Sequence, residues 1–196
     1  HLYELLAALR EKDAFDLIGY SMGGAIASAF GVEHPERIKK LILMAPAGMG
    51  HELGSLAKIA LRVPLFGTWA FMALYAHMHR QGTEKERALV SEVNYVVDRQ
   101  QRELNYLGFQ PSVLASLRGI LATSSQVDHQ KLSTKNIEVV AVWGAEDTVI
   151  PISGKEKLIK WNSDSRHIVI SHAGHGLAYT HVKEVIQYLS LNLKSP

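Results

Sequence analysis

Four short apolar runs, separated by helical patterns, constrain the fold of this chain more than any other feature. The runs are DLIGY (16–20), KKLILMA (39–45), IEVVAVW (137–143) and RHIVIS (166–171). Continuous apolar runs of this length are typical of strands that are covered on both faces, as in a parallel sheet. Because helical patterns separate the runs, the sequence predicts an α/β fold with a mostly parallel sheet.

Helical patterns flank the predicted strands. They cover residues 2–10, 22–32, about 153–162 and about 178–193. The second helix should end at His34, because the residue before a proline disfavours helical backbone. The last helix carries apolar residues at helical spacing, which should face the core: Val182, Val185, Ile186, Leu189 and Leu193.

Residues 50–130 interrupt the alternation of strands and helices. This region has no convincing strand, and its helical patterns lie near 54–79, 83–104 and 111–124. A helical insertion of this size between two sheet strands indicates a cap or lid. The sequence therefore predicts an α/β core formed by residues 1–49 and 131–196, with residues 50–130 as the cap.

Composition excludes several classes of function. The formal net charge is +2, so the sequence gives no reason to expect a nucleic-acid partner. The chain has no cysteine, which rules out disulfides and a thiol nucleophile. The apolar stretch 56–78 is interrupted by Lys58, Arg62 and Pro64, so no stable membrane span is expected. We expect a cytoplasmic protein, although a chain that begins at His1 does not allow a leader to be assessed.

The stretch GYSMGG (19–24) contains a G-x-S-x-G pattern around Ser21. A serine hydroxyl becomes a nucleophile only when a base takes its proton and a third group orients that base. A predicted strand precedes Ser21 and a predicted helix follows it, as this motif requires. Gly19, Gly23 and Gly24 are expected to provide the space in which strand and helix approach each other.

Candidates for the acid and the base follow the last two predicted strands. WGAEDTVIP (143–151) offers Glu146 and Asp147, and we prefer Asp147 because it lies further into the loop. SHAGHG (171–176) offers His172 and His175, and the glycines on both sides of His175 suit a close approach to other backbone. A metal site formed by these two histidines is not favoured, because no carboxylate lies near them in the sequence.

Serine, acid and histidine thus occur in that order, each just after a predicted strand. In this arrangement the chain resembles the α/β-hydrolase superfamily, and most of all bacterial esterases and lipases. The resemblance is carried by GYSMGG (19–24), HPERIKKLILMAPAG (34–48), WGAEDTVIP (143–151) and HAGHG (172–176). It implies an α/β-hydrolase fold with Ser21 as nucleophile, His175 as general base, Asp147 as its partner and the Met22 N–H as an oxyanion donor. It implies no cofactor and no metal.

The activity that the resemblance implies is hydrolysis of small-molecule or lipid carboxylic esters through an acyl-enzyme. Alternatives with the same triad are a carbon–carbon bond hydrolase, a perhydrolase and an acyltransferase, and a non-catalytic binding protein is the alternative of a different class. Residues expected to line a substrate pocket are Tyr20, Phe66, Trp69 and Val149, with further apolar cap residues Leu56, Ile59, Leu61, Leu65, Phe71 and Leu74.

The resemblance also implies a larger sheet than this sequence encodes. Family members place several strands before the nucleophile, whereas one short strand precedes Ser21. We expect the remaining strands and the second oxyanion donor to come from a lost N-terminal segment or from a second chain. The first strand would otherwise expose an apolar edge.

Overall fold

A computed structural model describes residues 2–9, 12–50 and 63–193. In these residues four parallel strands form one sheet in the order β1-β2-β3-β4. The strands are β1 Phe15–Tyr20, β2 Ile38–Met44, β3 Glu138–Gly144 and β4 Arg166–Ile170. All four predicted strands are present, with ends within one residue of the expected ones, and the predicted α/β class is confirmed.

The two central strands explain why the strand pattern was so clear. On β2 and β3, side chains such as Leu41, Ile42 and Val140 are almost completely buried. Residues alternate between the two faces of a strand, so a strand covered on both sides has no polar positions to break its apolar run. The outer strands are less covered, and Ile18 on β1 and Val169 on β4 are exposed.

Helices cover both faces of the sheet. The core helices are α1 Leu2–Ala8, α2 Met22–Glu33, α6 Gln126–Leu132, α7 Ser153–Trp161, α8 Leu177–Thr180 and α9 Val182–Leu193. On one face, residues of α2, α6 and α7 pack against Leu41, Leu43 and Val139. On the other face, α8 and α9 pack against Ile42 and Val142. The sheet is therefore the middle of three layers, and the carboxyl ends of its strands form one edge.

The predicted C-terminal helix is divided at His181, where the backbone leaves the helical region. Val185 and Leu189 are buried as expected. Ile186, which was expected to face the core, is 59% exposed. Its place beside Val185 turns its side chain about 100° around the helix from that residue, towards solvent.

Three further helices lie between β2 and β3: α3 Pro64–Glu86, α4 Val96–Arg102 and α5 Phe109–Arg118. We call residues 64–118 the helical insertion. A helix was predicted over 54–79, and its residues 54–62 lie outside the described part of the chain. The helix α3 begins at Pro64, and a proline is well tolerated in the first turn of a helix. On the described part of the chain, no helix combines the length and apolarity needed to cross a membrane.

The helix predicted over 83–104 is wrong in its middle. Residues 87–95 are not helical, and Tyr95 has a left-handed backbone with φ of 58°. The reason is tertiary, since the Glu92 N–H donates to the carbonyl oxygen of Tyr179 instead of to a helical neighbour. The helix predicted over 111–124 likewise stops at Arg118, where the Gly119 N–H closes its last turn.

The helix α6 was not predicted, because its sequence QVDHQKL has few apolar residues. It packs against α2 and α7, and its His129 and Leu132 are fully buried. The predicted limit of the cap, residue 130, lies inside α6, and α6 makes these contacts with the core. The division of the chain at that residue stays a prediction.

A buried histidine, His129, and a half-buried one, His167, are both neutral at neutral pH. Burial lowers the pKa of His129 to about 4, and its Nε2 lies 3.4 Å from Ser28 Oγ. Burial, followed by the charge of Lys155, lowers the pKa of His167 to about 4. The indole N–H of Trp143 donates to Nδ1 of His167 at 3.1 Å, a bond that requires an unprotonated nitrogen.

We expect acid to destabilise the fold through His129. An exposed histidine binds a proton below a pKa of about 6.5, so the unfolded chain gains a proton that the folded state refuses until about pH 4. This one residue should lower the free energy of unfolding by about 2 kcal/mol between pH 7.5 and pH 5. Urea unfolding of His129→Gln across this range should show a correspondingly shallower pH dependence. The exposed His77→Gln is the control, and an equal slope in both variants would contradict the assignment.

Two glycines of the motif allow close approaches of α2, Gly19 to β1 and Gly24 to the loop that follows β2. A Cβ on Gly19 would overlap the carbonyl oxygen of Gly23, and a Cβ on Gly24 would lie 2.7 Å from Pro46 Cβ. The expectation for Gly23 is wrong, because a Cβ there would meet no atom within 4 Å. Gly23 contributes its backbone oxygen to the close contact, and its missing side chain is not required.

The two positions should respond differently to the same substitution. Gly19→Ala forces backbone atoms apart and should cost about 1–3 kcal/mol of unfolding free energy. Gly23→Ala places a methyl group in open space within a helix, where alanine is favoured by up to about 1 kcal/mol. Urea denaturation of both variants measures the difference, and equal stabilities would refute the close approach at Gly19.

Candidate active site

Ser21 lies in the turn between β1 and α2, at the carboxyl edge of the sheet. Its backbone has φ of 52° and ψ of −120°, a strained conformation for a residue with a side chain. Three hydrogen bonds hold it there: its N–H donates to Met44, and its carbonyl accepts from Gly24 and Ala47, each at 2.9 Å. The neighbouring strand and its loop therefore fix the position of this serine.

His175 connects Ser21 to Asp147. Its Nε2 lies 3.0 Å from Ser21 Oγ, and its Nδ1 lies 2.9 Å from Asp147 Oδ2. The three residues follow β1, β3 and β4, whose carboxyl ends share one edge of the sheet. The side chain of Asp147 is completely buried and that of His175 is 19% exposed. This is the arrangement of a nucleophile, a general base and an orienting acid.

Asp147 is held as a carboxylate by its hydrogen bonds. Burial raises the pKa of its carboxyl, but the bonds from His175 and from the N–H groups of Ile150 and Val149 outweigh burial and keep the pKa below its ordinary value. The two backbone N–H groups donate to Oδ1 at 2.8 Å, which leaves Oδ2 for His175. An ionised Asp147 favours the tautomer with hydrogen on Nδ1, so Nε2 can accept the serine proton.

The competing acid and base form a separate pair. Glu146 Oε1 lies 3.0 Å from Nδ1 of His172, and both side chains are largely exposed. The Glu146 N–H also donates to the carbonyl oxygen of Ala173, which joins the loops after β3 and β4. The structure thus brings Asp147 and His175, which the sequence favoured, to Ser21, and leaves Glu146 and His172 at the surface.

The N-terminus of α2 places a backbone donor beside Ser21. Met22 is the first residue of α2, and the N–H groups in the first turn of a helix have no acceptor within that helix. Such a group can stabilise an oxyanion that forms on a carbonyl bound at Ser21. The second donor stays a prediction.

The four expected pocket residues lie in different surroundings. Tyr20 is half-buried, and its hydroxyl donates to the carbonyl oxygen of His175 at 2.8 Å. Val149 is 52% exposed, and its backbone supports Asp147. Phe66 and Trp69 are exposed on α3 with ring centroids 6.0 Å apart. Their role in a pocket stays a prediction.

The further apolar residues expected in a pocket divide into three groups. Leu56, Ile59 and Leu61 lie outside the described residues. Leu65 and Leu74 are exposed on α3. Phe71 is buried and packs with Leu114 inside the helical insertion, so it stabilises the insertion itself.

Sequence reasoning missed Tyr179 and Glu86. Tyr179 lies on α8, four residues after His175, and its hydroxyl donates to Glu86 Oε2 at the end of α3. A single tyrosine and a single glutamate 93 residues apart carry no pattern that a sequence could reveal. In the described residues, no cluster of three or more histidine, cysteine or acidic side chains could hold a metal ion.

Comparison with known proteins identifies the fold family of the chain. Residues 1–182 match the family model of the alpha/beta hydrolase fold. The chain is 26% identical over 204 residues to the 2-hydroxymuconate semialdehyde hydrolase of Pseudomonas sp. (strain CF600), covering 97% of this chain and 64% of that protein. It is 28% identical over 165 residues to the 2-hydroxy-6-oxo-6-phenylhexa-2,4-dienoate hydrolase of Comamonas testosteroni, covering 81% of this chain and 55% of that protein.

The chain therefore spans between 55% and 64% of the length of these two curated relatives. Among solved structures, a thermophilic esterase from Thermogutta terrifontis superposes with a TM-score of 0.71 at 20% identity, covering 98% of this chain and 69% of that structure. At this identity the likeness shows the fold alone. Since the family model matches nearly the whole chain, the protein belongs to the alpha/beta hydrolase fold family.

Proposed function

We propose that this protein is a serine hydrolase that cleaves carboxylic esters through an acyl-enzyme, with Ser21, His175 and Asp147 as its catalytic triad. The observation that carries the proposal is the continuous hydrogen-bond chain from Ser21 Oγ through the His175 ring to a fully buried Asp147. Membership of a hydrolase fold supports the reaction class, and the role of each residue comes from this geometry.

In the proposed first half-reaction, Ser21 Oγ attacks the carbonyl carbon while Nε2 of His175 takes the hydroxyl proton. The carbonyl oxygen becomes an oxyanion, which the Met22 N–H stabilises. The tetrahedral intermediate then breaks its bond to the leaving alcohol, and His175 gives that oxygen its proton. The acyl group remains on Ser21.

In the second half-reaction, water attacks the acyl carbon in the same way. His175 takes a proton from the water and returns it to Ser21 Oγ as the acid departs. Through both halves His175 becomes an imidazolium, and the buried carboxylate of Asp147 stabilises that charge. Besides the triad and the ester, the two half-reactions require only water and a donor for the oxyanion, for which the Met22 N–H is the candidate.

A carbon–carbon bond hydrolase is the second candidate. Both curated relatives reported above are named as hydrolases of oxo-dienoate or semialdehyde compounds, which is the specific observation in its favour. The same triad serves this chemistry when the leaving group is a carbon atom that accepts the proton from His175. The two candidates share Ser21 and differ in the substrate that the site accepts.

We expect Ser21→Ala to abolish hydrolysis and Asp147→Asn to lower kcat by about 10⁴-fold, because the asparagine favours the wrong histidine tautomer. The measurement is steady-state hydrolysis by the full natural polypeptide. A fluorophosphonate probe, followed by peptide mapping, should label Ser21 in the wild type and not in Ser21→Ala.

The matched control is Ser171→Ala, because Ser171 is an exposed serine at the end of β4. It should retain full hydrolysis and full labelling. Absence of a Ser21 adduct in the folded wild-type protein would contradict the proposed nucleophile, whatever activity the preparation shows.

The two candidate substrate classes are separated by a direct comparison. We expect higher kcat/KM on p-nitrophenyl esters of varied acyl length than on 2-hydroxy-6-oxo-dienoates, each measured beside Ser21→Ala. If the enzyme turns over only the dienoates, the carbon–carbon bond hydrolase replaces the ester hydrolase as the proposed function. Ester turnover that survives Ser21→Ala would contradict both.

A further inference from the structure

Tyr179 binds the helical insertion through its side chain and its backbone. Its hydroxyl donates to Glu86 Oε2 at 2.5 Å. Its carbonyl oxygen accepts the Glu92 N–H at 2.8 Å and the Ser91 hydroxyl at 3.2 Å. Glu86 is the last residue of α3, and Ser91 and Glu92 lie in the non-helical stretch that follows. We call these four residues the Tyr179 anchor.

The other side of Tyr179 contacts the backbone next to His175. A Cβ on Gly176 would lie 2.6 Å from Cε2, Cζ and the hydroxyl oxygen of the Tyr179 ring. A real Cβ would not fit at this distance, so the Tyr179 ring packs closely against the Cα of Gly176. The Tyr179 ring therefore packs against the residue that follows His175, and the anchor reaches the backbone next to the proposed base.

Tyr20 completes the surroundings of His175. Its hydroxyl holds the His175 carbonyl, and its ring stacks on the imidazole with centroids 5.4 Å apart. Burial raises the pKa of Tyr20, and the nearby Tyr179, Glu86 and Asp147 raise it further. Tyr20 thus contacts both the ring and the backbone carbonyl of His175, the residue whose neighbour Gly176 contacts Tyr179.

The Tyr179 phenol stays a donor at neutral pH. Burial raises its pKa, and the hydrogen bond to Glu86 raises it further. A hydrogen bond from a hydroxyl to a carboxylate is charge-assisted, and partial burial strengthens it. The ion pair between Glu92 and Lys183 is exposed to solvent, where water weakens the attraction between the two charges. Of these two contacts between the insertion and the C-terminal region, the one made by Tyr179 dominates.

We propose that Tyr179 is a positioning residue. It fixes residues 86–92 of the helical insertion against the loop that carries His175, and it thereby keeps the insertion and this loop in fixed positions relative to Ser21. The proposal rests on the proposed function, since His175 is the base in that reaction. Because the same ring contacts Gly176 and the same residue binds Glu86 and Glu92, displacement of the insertion must also disturb the backbone beside His175.

The test uses Tyr179→Phe and Glu86→Gln in the full natural polypeptide. Hydrogen–deuterium exchange should become faster in both segments, 86–95 and 172–181, because Tyr179→Phe removes the donor and Glu86→Gln weakens the acceptor. The rate at which a fluorophosphonate labels Ser21 should fall at least several-fold in Tyr179→Phe. The double variant should label no more slowly than Tyr179→Phe alone, since both substitutions act on the same hydrogen bond.

Matched controls come from exposed residues of the insertion, Tyr106→Phe and Glu103→Gln, which should change neither exchange nor labelling. Unchanged exchange of both segments in Tyr179→Phe would overturn the role of the Tyr179 side chain in fixing the insertion. Faster exchange of 86–95 alone, with wild-type labelling of Ser21, would overturn the positioning of His175. If wild-type Ser21 never reacts, the proposed function fails, and the exchange data still decide whether the anchor exists.

Discussion

The parallel register of the four strands is the constraint on which the site depends. Tyr20 pairs with Met44, Met44 with Val142, and Gly144 with Ile170, so all four strands end at one edge of the sheet. Loops that follow these ends meet without long connections. For this reason Ser21 and His175, 154 positions apart in the sequence, lie within hydrogen-bond distance.

At this edge of the sheet, Asp147 carries a buried charge that its surroundings must stabilise. A carboxylate without partners in a protein interior would cost several kcal/mol, so a buried one must be fully hydrogen-bonded. Asp147 receives two backbone N–H groups from its own turn and one ring N–H from His175. The turn after β3 therefore stabilises the charge of Asp147, and this charge lies 2.9 Å from Nδ1 of His175. Both strained Ser21 and buried Asp147 depend on neighbouring loops that the sheet holds in place.

The sequence predicted the parts of this fold that depend on local pattern. Continuous apolar runs identified all four strands, and the order of Ser21, Asp147 and His175 after three of them identified the triad candidates. It did not identify α6, whose surface is polar, or the break at 87–95, which a hydrogen bond to Tyr179 imposes. Ile186 shows the same limit, because periodicity marks an apolar stripe without telling how far the core extends around the helix.

The triad alone does not choose between an ester and a carbon–carbon bond. In both reactions Ser21 attacks a carbonyl and His175 protonates the group that leaves, so the difference lies in where substrate atoms are held relative to Nε2. Groups that hold a substrate there must be fixed with respect to His175 to a fraction of an ångström. Tyr179 joins the helical insertion to the backbone beside His175. The proposed contact therefore bears on the placement of His175, which both reactions share.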